Sequence, residues 1–282
     1  MKKRNKSTKK EIQRMLKAAM KHIQSIPYSA SLRWVFYRLL DDNIYKNKKD
    51  YNRFKARLSK ARKNFEITTM DDIEYQWAPD TLIDETRESL PQGYGAPTKE
   101  EWAKNELENA QCKLSKHSRQ KYFVMVLFEA KAMKKQFQYY IKNIPLYPFG
   151  GDVSIPFKYE IAKDIEQADE LYHLPIKLLY FGDRDDKGEQ IYKSAMVDIR
   201  KWCKVEFESI WCGLTKEQAI EMNIPENFEK PGQYQWEGLT DEQAYSIIKP
   251  NIDKYHDKEI DRQIAIEEKE ATIWFKEKMG IA

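Results

Sequence analysis

Lys177-Leu178-Leu179-Tyr180-Phe181-Gly182-Asp183-Arg184-Asp185-Asp186-Lys187-Gly188 is the stretch on which the reading of this chain turns. Leu178 to Phe181 is a short apolar run, which predicts a buried strand. Gly182 breaks it, and Asp183, Asp185 and Asp186 follow at once. Gly188 then opens a pattern that predicts a helix from Glu189 to Trp202. An open α/β sheet binds its ligands outside the carboxyl ends of its strands. Asp183 and Asp185 can converge on one divalent cation if the turn curls. Hard oxygen ligands left partly to water suit Mg²⁺ that also meets phosphate. The other reading of the same residues is an acidic, solvated turn.

Working outward, Tyr122 to Phe128 is a second continuous apolar run, and it ends in Glu129. A helix is expected from Ala130 to Tyr140. Strand–Glu–helix followed by strand–Asp-x-Asp–helix is a repeated βα arrangement, the signature of a mostly parallel sheet. Parallel neighbours would bring Glu129 to Asp183 and Asp185. Between them, Pro148-Phe149-Gly150-Gly151-Asp152-Val153-Ser154 is a Gly-rich loop able to approach phosphate, before a helix from Pro156. A third strand is expected over Glu206 to Trp211. Thr215 and Thr240 are placed to cap helices. The charged final helix, Lys254 to Lys278, is expected to pack through Ile260, Ile264 and Ile266.

Toward the N-terminus the charge changes sign. Residues 1–63 hold 20 Lys or Arg against four acids, a net +16, which leaves 29 basic and 41 acidic residues, or −12, for the remainder. A basic module on an acidic body suggests a polyanion partner, nucleic acid first. Residues 2–10 read as a loose basic arm. Helical spacing then follows through Ile12, Met15, Leu16, Ala19 and Ile23, ending at Pro27. Ser29 or Ser31 caps a second helix with Leu32, Val35, Phe36, Leu39 and Leu40 on its apolar side. A third helix sets Phe54, Leu58, Ala61 and Phe65 on one face and Arg53, Arg57 and Lys60 on another, with Lys49 nearby. This fits a helix-turn-helix or winged-helix unit whose basic front meets phosphates, with Ile67 to Trp77 as the wing. In the second helix Arg33 and Tyr37 share a face one turn apart. Tyr37 is read either as a half-buried core tyrosine or as a phenolic nucleophile.

Residues 78–120, punctuated by Pro79, Pro91, Gly93, Gly95 and Pro97, read as a connector, with Asp84 and Arg87 as a surface pair and a Thr98-capped helix. The organisation expected is therefore a basic arm over 1–10, a winged-helix domain over 11–77, a connector over 78–120 and an α/β domain with a helical extension over 121–282. The length suffices for a sizeable core. No apolar run approaches a membrane span, and no apolar segment follows the basic start as in a secretory signal. Cys112, Cys203 and Cys212 show no zinc-like spacing with the histidines, and a reducing cytoplasmic setting is expected.

Glu129 and Asp183-x-Asp185 at two strand ends, with Gly188, resemble a Toprim domain, the metal-binding module of topoisomerases, primases and some nucleases. Ser31-Leu32-Arg33-Trp34-Val35-Phe36-Tyr37-Arg38 resembles the Arg-x-x-Phe/Tyr-Tyr signature of the topoisomerase VI A subunit and the related meiotic double-strand-break protein. The order is similar too, and Trp211-Cys212-Gly213-Leu214-Thr215-Lys216-Glu217-Gln218 and Trp236-Glu237-Gly238-Leu239 look like segments of the short phage- and plasmid-type relatives. The resemblance spans roughly residues 10–250. It implies an α/β protein with an N-terminal winged-helix domain before a Rossmann-like Toprim domain. It implies Glu129, Asp183 and Asp185 as Mg²⁺ ligands (Mn²⁺ also possible) or acid/base groups, Tyr37 as nucleophile, Arg33 as its neighbour and Glu237 as a weaker fourth acid. It also implies a homodimer in which the tyrosine of one protomer meets the metal of the other. The chain departs from the pattern at Ala130, where Lys is common, and at Asp186, where Pro is common.

The function expected is Mg²⁺-dependent binding and cleavage of double-stranded DNA, by tyrosine transesterification or by metal-assisted hydrolysis, in the cytoplasm, whether at a nucleoid or in a viral host. Nothing in the chain resembles an ATPase, so ATP-driven strand passage would need a separate subunit. The alternative is a non-catalytic DNA-binding protein for packaging, segregation or regulation.

Overall fold

The structure, a computed structural model, describes residues 8–82, 95–129, 133–226 and 231–280. Helix α1 (Lys9–Gln24) starts at a capping box in which Thr8 and Glu11 satisfy each other's backbone N–H groups. Ser31 caps α2 (Leu32–Asp41), and α3 (Tyr51–Lys63) follows. Strands β1 (Ile67–Met70) and β2 (Ile73–Gln76) form an antiparallel hairpin. Asp71 and Asp72 turn it with φ of 48° and 62°, the double left-handed conformation a two-residue hairpin loop needs. Trp77 closes the hairpin from below, fully buried, its indole N–H donating to Thr68 Oγ1 at 2.9 Å.

After α4 (Lys99–Glu108) come β3 (Phe123–Phe128), α5 (Lys134–Tyr140), β4 (Leu146–Pro148), α6 (Ile155–Tyr172), β5 (Ile176–Phe181), α7 (Asp186–Trp202) and β6 (Phe207–Gly213). The four strands form one parallel sheet in the order β4-β3-β5-β6. Helices α8 (Lys216–Glu221), α9 (Asp241–Asp253) and α10 (Lys258–Lys278) complete the described chain. Strands β3 and β5 are apolar almost throughout because both faces of a parallel sheet are covered. Their alternate residues sort into two layers. Phe123, Met125, Leu127, Leu178 and Tyr180 pack with Ile161 and Ile165 of α6 and Ile191 and Ile199 of α7. Val124, Val126, Phe128, Leu179 and Phe181 belong to a second layer that also contains Phe137, Trp236 and Ile247. That layer is continuous with Met20, Trp34, Leu39, Phe54 and Leu58 of the first three helices. The basic module and the acidic body therefore share one core. Among the described residues no helix is long and apolar enough to cross a membrane.

Several sequence expectations need correction. The edge strand β4 is too short to show a pattern and contains Pro148, which an edge tolerates and a central strand does not. Helix α7 begins at Asp186, because Asp185 is its cap. Phe65 lies outside α3, at φ 50° and 51% exposed, so only Phe54, Leu58 and Ala61 form the buried face. Of the last helix's isoleucines, Ile264 is buried while Ile266 is 53% exposed. Polar bonds to the connector hold that helix instead: Cys112 N–H donates to Thr272 Oγ1 at 2.9 Å, Leu114 N–H to Glu268 at 2.8 Å, and Arg119 forks onto Glu267. The Asp84–Arg87 pair and the first residues of the helix expected from Ala130 lie outside the described residues.

One buried cation ties α2 to the chain just ahead of α9. Arg38, 4% exposed, donates from Nη2 to the carbonyls of Glu237 at 3.1 Å and Gly238 at 3.0 Å, and pairs with Asp41 at 3.3 Å. Removing the guanidinium strands two buried carbonyls. Arg38→Leu is expected to lose about 2–4 kcal/mol of stability, read as a lowered urea midpoint. A midpoint unchanged from wild type would show that water replaces the guanidinium at no cost.

Candidate functional site

The register of the two central strands places the acids. Phe128 pairs with Phe181, so Glu129 and the Gly182-Asp183 turn emerge side by side. Glu129 N–H donates to the Phe181 carbonyl at 2.9 Å. Its Oε2 accepts from Asp183 N–H at 3.3 Å and from the Tyr180 hydroxyl at 3.5 Å. Asp183 Oδ1 accepts from Trp236 N–H at 2.7 Å. Asp185 Oδ1 accepts from Gly188 N–H at 2.6 Å, capping α7. Gly188 is dictated by this crowding: a Cβ there would stand 2.5 Å from the Asp183 carbonyl oxygen and 2.8 Å from Glu129 Oε2.

Proximity and burial disfavour the ionised acids. Burial first, then Asp185 and Glu237, push Glu129 up to about 7, against a hydrogen bond from the Asp183 backbone. Asp183 is pushed well above its ordinary range, by burial first and then by Glu237 and Glu129.

A five-residue strap, Tyr234 to Gly238, closes the site from the side of the N-terminal helices. Tyr234 and Arg184 exchange backbone hydrogen bonds of 2.9 Å, which fasten the strap to the turn between Asp183 and Asp185. Gln235 Oε1 accepts the hydroxyl proton of Tyr37. Trp236 supplies the N–H to Asp183. Glu237, 3% exposed, meets Arg33 Nε at 3.2 Å through Oε1, while its buried Oε2 has no hydrogen-bond partner among the described residues. Arg33 in turn hydrogen-bonds the Tyr37 oxygen. Tyr37 is 7% exposed, and its pKa is pushed up to about 12 by burial first and then by Glu237, with Arg33 opposing.

Behind the strap lies a second polar cluster. Trp236 Nε1 donates to Gln136 Oε1 at 3.2 Å. Gln136 Nε2 reaches the Tyr28 hydroxyl at 3.0 Å and Asp241 Oδ1 at 3.1 Å. Both Tyr28 and Tyr140 donate to Asp241. The turn between α1 and α2 is thus clasped to the starts of α5 and α9.

The structure therefore brings Arg33, Tyr37, Glu129, Asp183, Asp185 and Glu237 together within one chain. It leaves the basic residues of α3 as a separate surface. Arg53 (53% exposed) pairs with Asp50 at 3.1 Å, Lys49 and Lys60 are exposed, and Arg57 is turned onto Glu66 in a bidentate pair. Gln235, Arg38 and Gln136 escaped the sequence reading. Gln235 adjoins the Trp236-Glu237 segment that drew attention, but nothing in its type or spacing assigns it to Tyr37. The Gly-rich loop does hold two left-handed glycines, Gly150 and Gly151, yet its N–H groups at Phe149 and Gly150 donate to the carbonyls of Phe128 and Glu129. Beside it a cleft of about 650 Å³ includes Asp152, Lys158, Lys187 and Ser194 in its lining. Its buried cation, Lys158, pairs with Asp198 at 2.7 Å.

Among the described residues, no three Asp, Glu, His or Cys side chains stand arranged to hold a metal ion. Glu129, Asp183 and Asp185 each commit one oxygen to a backbone N–H. The donor chemistry nonetheless fits a hard divalent cation: all oxygen, all carboxylate, with Glu129 and Asp183 pushed above their ordinary range and one orphaned buried oxygen on Glu237. Comparison of the chain with known protein families, with curated proteins and with solved structures found no match.

Two outcomes follow from this geometry. Gly188→Ala must displace the Asp183 carbonyl or the Glu129 carboxylate, and is expected to cost about 1–3 kcal/mol in chemical denaturation; an unchanged midpoint would mean the turn yields freely. The second concerns pH. Glu129 has a folded pKa of about 7 against an ordinary 4.5, so the unfolded chain ionises it first. Its contribution to stability therefore declines as pH rises from about 4.5 to about 7 and is constant outside that window. In metal-free buffer, Glu129→Gln is expected to melt progressively above wild type across that window. Parallel melting curves would show that Glu129 ionises like an exposed carboxylate.

Proposed function

We propose that this chain is a Mg²⁺-dependent DNA-cleaving protein, with a winged-helix module joined to a Toprim-type domain and resembling the topoisomerase VI A subunit. The observation that carries this is the cluster in which Tyr37 and Arg33 of α2 meet Asp183 and Glu237 at the carboxyl end of the parallel sheet. Three helices followed by a hairpin support the first half of the fold assignment, and strand-end acids on β3 and β5 support the second.

In this reading Tyr37 Oη attacks a backbone phosphorus. The bond from phosphorus to the 3′ oxygen breaks, the DNA keeps a 5′-phosphotyrosyl link, and the free 3′ oxygen takes up a proton in place of the one lost by the tyrosine. One phosphodiester replaces another, so the step needs no ATP and reverses. Arg33 is placed to favour the phenolate and to offer a scissile phosphate a cation. Glu129, Asp183 and Asp185, with Glu237 as a fourth acid, would hold Mg²⁺, or Mn²⁺, which when bound neutralises charge on the phosphate and steadies the leaving oxygen. Lys49, Arg53 and Lys60 would grip the duplex. Two copies would cut two strands, and any coupling to ATP hydrolysis would come from a separate subunit. One observation favours the non-catalytic alternative: the strand-end acids already have backbone partners.

Tyr37→Phe is expected to abolish covalent protein–DNA adducts trapped by denaturant in Mg²⁺, at unchanged DNA affinity. Continued cutting by that variant with free ends would mean hydrolysis by water. A wild-type protein inert in both Mg²⁺ and Mn²⁺, yet binding DNA tightly, would establish the non-catalytic reading. For binding itself, Arg53→Ala and Lys60→Ala are each expected to reduce the slope of log affinity against log salt by about one. Arg57→Ala is expected to change it less, because Glu66 already neutralises that guanidinium. Equal effects at all three positions would count against this assignment of the basic face.

A further inference from the structure

We propose that the outer face of α1 is a second nucleic-acid contact, a stripe of four cations that follows the phosphate backbone of a DNA duplex. The inference rests on the DNA-binding part of the reading above and is indifferent to whether the bound duplex is cut. Lys10, Arg14, Lys17 and Lys21 recur at i, i+4, i+7 and i+11, so one line along the helix carries all four. All four are exposed, while Met15, Leu16, Ala19 and Met20 are buried on the opposite side. Among the described residues no ion pair joins any of the four to a carboxylate. The only acid of the helix, Glu11, is turned back onto the Thr8 N–H at 2.7 Å.

A solvated helix face in this protein looks different. On α10, Arg262 pairs with Glu259 at 2.9 Å and Lys269 is followed by Glu270. On α3, Arg53 and Arg57 meet Asp50 and Glu66. Helix α1 instead sets cation beside cation at three successive steps of i+3 or i+4, an arrangement that opposes its own helix. A row of anions removes that repulsion. The stripe spans about 16 Å at about 1.5 Å per residue. Over that length one strand of a duplex lying along it presents about five phosphates, at about 3.4 Å of rise each. Nine of the 20 Lys or Arg in residues 1–63 precede Pro27, as many as follow Asn43, so the basic module divides evenly between α1 with its lead-in and the α3 region. The apolar side of α1 is already buried in the core, which leaves no face to enter a bilayer. Exposed Gln13 and Gln24 flank the stripe and offer an acidic peptide no apolar pocket.

The test compares Lys10→Gln/Arg14→Gln/Lys17→Gln/Lys21→Gln with a control that removes the same charge elsewhere, Lys104→Gln/Lys163→Gln/Lys249→Gln/Arg262→Gln. Binding of a random-sequence duplex is followed by fluorescence anisotropy across a salt series. The stripe variant is expected to flatten the slope of log affinity against log salt by about 2 to 4, and the control by less than about 1, at about 0.9 per phosphate contact. A smaller change in the stripe variant, or an equal change in the control, would overturn the inference. With three like-charge contacts removed, the stripe variant is expected to melt at or above wild type at low salt; a lower melting temperature would count the stripe as part of the fold and against the inference. The wild-type protein gives a second readout. DNA is expected to slow acetylation of Lys10, Lys17 and Lys21 several-fold while leaving Lys104 unchanged, and equal rates with and without DNA would overturn the inference. So would protection of the same lysines without DNA as protein concentration rises, which would assign the stripe to the acidic body of a second copy. A wild-type protein that binds no duplex at any salt would sink the DNA-binding reading itself, whereas binding that survives loss of the stripe sinks this inference alone.

Discussion

The arrangement at the carboxyl end of the sheet depends on one buried carboxylate. Glu237 sits in the interior with a single cation, Arg33, on one oxygen and no hydrogen-bond partner among the described residues on the other. An ionised carboxylate is tolerated there only while that cation stays. This fixes the rotation of α2, because Arg33 must face the strap, and Tyr37, one turn further on, then faces it as well. Arg38, held by two carbonyls of the same strap, prevents the helix from rolling. The position of Tyr37 is thus a consequence of how Glu237, far along the chain from Glu129 and Asp183, is neutralised more than of any contact the tyrosine makes alone.

The sheet supplies the other half of the constraint. Parallel strands end on the same side, and the pairing of Phe128 with Phe181 leaves Glu129 and Asp183 at adjacent exits. Neighbouring acids at one edge repel, and the protein offsets this with N–H donors: Asp183 to Glu129, Trp236 to Asp183, Gly188 to Asp185. Under the cleavage reading proposed above, a bound cation would take the place of a proton or of one of these backbone donors.

Much of this layout was legible in the sequence because its physical signals are local. Apolar runs ending in Glu129 and Asp183 gave the central strands, and hydroxyl residues at Ser31, Thr215 and Thr240 marked helix starts by capping chemistry. The helical spacing of Arg33 and Tyr37 put them on one face. What could not be read is non-local. Gln235 and Gln136 are ordinary amides until the fold brings Tyr37 and Trp236 to them. Strand β4 was hidden by its length and by its proline, and Ile266 was misplaced because periodicity predicts a stripe without saying what covers it. The basic stripe of α3 was visible as sequence, but only the structure shows that Arg57 is already spent on Glu66.

The ion pair between Arg33 and Glu237 has a thermodynamic corollary. It joins a half-exposed cation, open to an incoming anion, to a buried acid that shares its surroundings with Asp183. An anion that takes the guanidinium leaves Glu237 in want of positive charge, and a cation that satisfies Glu237 leaves the guanidinium free for an anion. Two ligands that each relieve what the other exposes must bind cooperatively, and linkage requires the gain in affinity to be the same in both directions. Under the cleavage reading proposed above, this single salt bridge would tie the binding of a phosphate at Arg33 to that of a cation beside Glu237, each favouring the other.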